Sequence, residues 1–221
     1  MPGVALFCVS FTRDAMKSVS NPGQWSSGAP RPVKRPKIFY AEATLKNVGP
    51  VTFRSEHARD YACLMDVDPH VIEWRAAPRV TRHDGFTEHT IDFQAVFDNG
   101  TYLIDVGYEE PMPPSWVVPA VESMGYRYRP IAMVEVEGCF RLRNAKDLLR
   151  YGAYRPPLGD RIRILAAMEE MGSLTVAECM AAVSEGRPMP TVAALVLQGY
   201  LELDLDSGMI RPDTQIRRIG G

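Results

Sequence analysis

Apolar residues recur at helical spacing from Ser55 onward. Ala58, Tyr61, Ala62, Leu64 and Met65 share one face, and Ser55 is placed to cap the first turn. Asp68-Pro69-His70 ends that helix, and VIEW (71–74) and RVTRH (79–83) read as short strands. Alternation is strongest in HTIDFQAVF (89–97) and TYLIDVGY (101–108). Between them lies Asp98-Asn99-Gly100, whose Asn-Gly step signals a hairpin. A helix is expected around 116–124, a strand over RYRPIAMVEV (127–136) and a helix over NAKDLLRY (144–151).

The pattern changes at Arg155-Pro156-Pro157-Leu158-Gly159, where two prolines and a glycine mark a boundary. Beyond it, RIRILAAMEEM is an amphipathic helix stopped by Gly172. Ser173 or Thr175 caps a second helix, TVAECMAAV, and a third starts at Pro190-Thr191 and runs through TVAALVLQGYL. LELDL, a turn at Asp206-Ser207-Gly208 and MIRPDTQI form a closing hairpin. Three short helices and a terminal hairpin, in that order, are the arrangement of a winged-helix module. The expected organisation is an extended segment over 1–37, an α/β domain over 38–154 and a winged-helix domain over 155–221.

Composition bounds the possible activities. The chain has 221 residues, 46% of them hydrophobic and 24% charged, which suits one large domain or two small ones. A net charge of −2 and a pI near 6.1 exclude wholesale electrostatic binding to nucleic acid, so any DNA contact rests on local patches. RPVKRPK (31–37) is such a patch: Lys34, Arg35 and Lys37 fit an arm that tracks phosphates, or else a solvated linker. Cys8, Cys63, Cys139 and Cys179 lie far apart, with neither zinc-ribbon nor disulfide spacing. The apolar run Val4–Phe11 is too short to span a bilayer, and a cytoplasmic protein is expected.

Three acids stand out by placement. Glu56 opens the first helix, Asp92 lies inside TIDF and Asp105 inside YLIDV. A carboxylate in an apolar strand is costly to desolvate unless it is paired or holds a cation. Carboxylates on two hairpin strands, joined by a glutamate from a neighbouring helix, form an oxygen-ligand set suited to Mg²⁺ or Mn²⁺. Such a set serves phosphodiester hydrolysis. The alternative is that both aspartates face solvent on half-exposed strands. His83 and His89 bracket HDGFTEH, but no third zinc ligand is placed near them.

The order of SEHARDYACLMDVDPHVIEWRAAP, TIDF and LIDV, with GYRYRPIAMVEVEGCFRLRNAKDLL behind them, resembles the TnsA family of transposon end-cleaving endonucleases over roughly residues 50–150. The resemblance implies a restriction-endonuclease-like mixed sheet flanked by helices, followed by a winged helix. It also implies that Glu56, Asp92 and Asp105 are catalytic metal ligands for Mg²⁺ or Mn²⁺. Double-stranded DNA is the implied substrate, with a transposase and an ATPase as partner proteins. One departure matters: Gly107 stands where the family carries its catalytic lysine, and no lysine occurs between Lys46 and Lys146. An arginine replaces it poorly as a proton relay because it stays protonated. A catalytically degenerate DNA-binding regulator or assembly subunit is therefore the alternative. Thr191 and Gln198 on the third carboxy-terminal helix, with Arg211, Arg217 and Arg218 near the wing, are the further candidate DNA contacts.

Overall fold

The computed structural model describes residues 44–76, 78–82, 84–108 and 113–219. The architecture is mixed α/β. Helix α1 (Glu56–Val67) begins where the Ser55 hydroxyl accepts the Ala58 N–H at 3.0 Å. It ends at Asp68, whose backbone is extended, as the following proline favours. Ala58, Tyr61, Ala62 and Met65 are buried against the sheet, and Leu64 packs at the margin.

Strand β1 (Val71–Ala76) leads to a separate two-stranded ribbon, β2 (Arg79–Thr81) with β3 (Glu88–Thr90). Next come β4 (Phe93–Phe97) and β5 (Gly100–Tyr108), then helix α2 (Val117–Ser123) and strand β6 (Arg127–Ala132). The main sheet has the order β1-β4-β5-β6, with β1, β4 and β5 antiparallel and β6 parallel to β5. A parallel neighbour needs a crossover, which α2 supplies. Phe97 pairs with Gly100, so Asp98-Asn99 is the hairpin turn. Trp74 and Phe93 meet edge to face, 5.4 Å between ring centroids, at the centre of the core under α1.

Two expected strands are shorter than the alternation predicts. The run 89–97 breaks at Ile91-Asp92, because the Asp92 N–H donates to the Asp105 side chain rather than to a backbone carbonyl of the sheet. The run 127–136 stops at Ala132, whose N–H donates to Glu135 Oε1 at 2.8 Å and starts a one-turn helix, α3 (Met133–Val136). Helix α4 (Phe140–Leu149) follows and lies against α1.

The remaining elements are α5 (Leu158–Met171), β7 (Ser173–Thr175), α6 (Val176–Ala181), α7 (Pro188–Leu197), β8 (Leu201–Leu203) and β9 (Gln215–Arg218). The strands form an antiparallel sheet in the order β7-β9-β8. Thr175 and Glu178 cap α6 reciprocally. Strand β7 is an element the helical reading of this stretch overlooked. Helix α7 starts at Pro188 rather than at Pro190, and the return strand starts at Gln215 rather than near Met209. Ile164, Met168, Leu174, Cys179, Val192, Leu195 and Ile216 form a second core around these elements.

A seam joins the two cores. Leu148 of α4 packs with Ala193 of α7 and with Leu205. Asn144, fully buried, donates through Nδ2 to Leu205 O (2.9 Å) and Gly208 O (2.7 Å) and accepts Ile210 N–H (3.0 Å). One α4 side chain thus fixes the loop between β8 and β9. Among the described residues, no helix is long and apolar enough to cross a membrane.

Candidate functional site

The β4–β5 pairing brings Asp92 and Asp105 together. They are 4% and 1% exposed, so neither faces solvent. Each carboxylate takes a backbone N–H beside the other residue: Val106 N donates to Asp92 Oδ2 (2.8 Å), and Asp92 N donates to Asp105 Oδ1 (3.1 Å). His89, at the base of the β2–β3 ribbon, places Nε2 2.7 Å from Asp105 Oδ2, and the Tyr128 hydroxyl of β6 donates to the same oxygen at 2.8 Å. Three strands therefore hold the pair.

Arg54 closes the pair from the solvent side. It lies just before the α1 cap, with Nε 3.3 Å from Asp92 Oδ1 and Nη1 3.8 Å from Asp105 Oδ1. Its Nη1 also donates to Thr90 O. Asp92 Oδ1 has no hydrogen-bond partner although it is buried. Burial pushes the Asp92 pKa above the usual carboxylate range, and Asp105 adds to the rise. The Val106 N–H and the Arg54 charge oppose it.

The structure leaves Glu56 outside this network. Its side chain is 64% exposed, and Oε1 pairs with Arg59 Nη2 at 3.1 Å. Among the described residues, no group of three His, Cys, Asp or Glu side chains is arranged to hold a metal ion. Gly107, the position expected to carry lysine, is at φ +93° where the β5–β6 register shifts between Val106 and Tyr108. A Cβ there would lie 3.8 Å from His57 Cβ and 3.9 Å from Met133 Cγ. His57 in turn places Nε2 2.7 Å from Glu137 Oε1.

The expected DNA contacts divide into three groups. Lys34, Arg35 and Lys37 lie outside the described residues. Thr191 requires a correction: it is 0% exposed, inside a run of buried residues from Pro190 to Leu195, and cannot reach a groove. Helix α7 is enclosed by its own core on one side and by α4 on the other. Gln198, Arg211, Arg217 and Arg218 are on the surface. Arg218 pairs with Glu169, and Arg217 stands opposite Glu202 in the β8–β9 register. Arg211 lines an open groove of about 530 Å³ between Phe140 and the β8–β9 loop, which Asp204 and Asp213 also line.

Sequence reasoning weighed Arg54 only as a poor replacement for the missing lysine and passed over Tyr128 as a member of the site. His89 was weighed only as a zinc ligand with His83, which is outside the described residues. His89 reaches Asp105 from the separate β2–β3 ribbon and Tyr128 from β6, the parallel neighbour of β5, so no local spacing signals them. In comparison with known proteins, no family model matches the chain and no curated relative matches it.

Proposed function

We propose that the chain is a divalent-metal-dependent DNA endonuclease related to the TnsA family, acting at mobile-element ends with a transposase and an ATPase. The carrying observation is the buried Asp92–Asp105 pair, pinned by backbone N–H groups, with Asp92 Oδ1 facing only a half-exposed arginine. The element order supports the reading. A helix, three antiparallel strands, a crossover helix and a parallel strand, with acids just before β4 and within β5, fit the restriction-endonuclease-like arrangement that the resemblance implies. Helix, strand, two helices and a hairpin behind it fit the winged-helix module expected there.

The donor set suits a hard cation, since Mg²⁺ is commonly held by one or two carboxylates with water and phosphate oxygens. Asp92 and Asp105 would hold it, and Glu56, 64% exposed, would join once it leaves the buried Arg59, which keeps Asp60 as a partner. A bound cation there supplies water activation and neutralises charge on the phosphate. His89 and Tyr128 orient Asp105, and the Val106 N–H orients Asp92. Arg54 lends positive charge but relays no proton. DNA contacts fall to Gln198, Arg211, Arg217 and Arg218, and to the arm carrying Lys34, Arg35 and Lys37.

The second reading is a degenerate nuclease-fold protein that binds DNA or assembles partners without cutting. Gly107 in a bulge and the enclosed α7 favour it. Nicking of DNA carrying the element's ends, with Mn²⁺, separates the two. The endonuclease reading expects slow cleavage by the full chain that Asp92→Ala abolishes. An inert chain that still binds DNA leaves the second reading.

A further inference from the structure

We propose that Arg54 is a resident counter-ion that competes with a divalent cation for Asp92 Oδ1, so that the metal enters only as the guanidinium leaves. This rests on reading Asp92 and Asp105 as metal ligands.

Three features carry the proposal. First, the oxygens are unequally satisfied. Asp92 Oδ2 accepts Val106 N–H, Asp105 Oδ1 accepts Asp92 N–H, and Asp105 Oδ2 meets His89 and Tyr128. Asp92 Oδ1, buried and without a hydrogen bond, points at Arg54 Nε 3.3 Å away. That oxygen is where an incoming cation gains most, because binding there displaces no hydrogen bond.

Second, Arg54 occupies that direction. Its guanidinium spans both carboxylates, and two positive groups cannot share one buried oxygen without strong repulsion. Third, Arg54 is able to leave. It precedes the Ser55 cap, outside α1, and its side chain is 44% exposed. Outside the pair, its hydrogen bond is to Thr90 O.

The swing has a natural acceptor. A guanidinium fork matches phosphate oxygens, so a DNA phosphate near the site would draw Arg54 from the acids. Metal and DNA then bind with positive coupling, each removing the group that excludes the other.

Mn²⁺ titration of the full chain, followed by electron paramagnetic resonance, tests this with and without a short duplex. Arg54→Gln should bind Mn²⁺ about tenfold tighter or more than wild type, since an opposing charge is gone. Asp92→Asn should abolish binding in both backgrounds. Duplex DNA should tighten Mn²⁺ binding in wild type and leave Arg54→Gln unchanged. If Arg54→Gln fails to fold, Arg54→Lys serves instead, with affinity between wild type and the expected gain. Equal Mn²⁺ affinity in wild type and the Arg54 variant, lost on Asp92→Asn, overturns the competition and leaves the metal site standing. No Mn²⁺ binding in any variant overturns both.

Discussion

Gly107→Ala tests the backbone at the position where the family resemblance expects a lysine. Gly107 sits at φ +93° in the bulge of β5, a region that costs an L-residue roughly 1–2 kcal/mol. Space is not the obstacle: an added Cβ meets nothing closer than His57 Cβ at 3.8 Å, an ordinary contact. The whole penalty is therefore conformational. For a chain of this size each kcal/mol moves the midpoint by roughly 2–4 °C, so Gly107→Ala should lower Tm by roughly 2–8 °C. Gly107→Lys carries the same strain, and its side chain begins against His57 and Met133. It should gain no cleavage rate. Thermal and urea unfolding followed by circular dichroism, with nicking assays on the same preparations, measure both. An alanine variant within about 0.5 kcal/mol of wild type, or a lysine variant that cuts faster, refutes the argument.

Further outcomes follow from the rest of the molecule. Asn144→Ala strands two carbonyls and one N–H at the seam between the cores and should cost about 2–4 kcal/mol in urea titrations; a cost under about 0.5 kcal/mol would mean water replaces the side chain. Thr191→Val should be neutral or stabilising and leave DNA affinity unchanged, because the buried Oγ1 has no partner to lose; weaker DNA binding would contradict the enclosed α7. Burial alone would raise the Asp160 pKa. Hydrogen bonds from Ser184, Glu185 and Gly186 N–H and from Arg163 instead hold it down to about 2, against 3.8 ordinarily. That contribution is complete above about pH 4 and is lost as pH falls through about 2, so acid unfolding should flatten in Asp160→Asn.

What the sequence disclosed follows the range of the interactions. Helix α1 was legible because its cap and its apolar face are local, and the β4–β5 hairpin because Asp98-Asn99-Gly100 is. That hairpin also put Asp92 and Asp105 side by side. The break at Asp92 was hidden, because its N–H partner is a side chain on another strand. Arg54 was hidden for the same reason: nothing in the run before Ser55 marks a guanidinium that folds onto β4 and β5. The late start of β9 depends on Asn144, which holds the backbone of 205–210 where strand pairing was expected. The burial of Thr191 was legible in principle. PMPTVAALVL is apolar on every side, the mark of an enclosed helix rather than one offering a face to a groove.

Anomalous diffraction from crystals of the full chain grown with excess Mn²⁺ tests the central claim most directly. The account predicts one peak within about 2.5 Å of Asp92 Oδ1 and of an Asp105 oxygen, with Arg54 turned away from both. Density that keeps Arg54 against Asp92, with no peak beside either carboxylate, would contradict it.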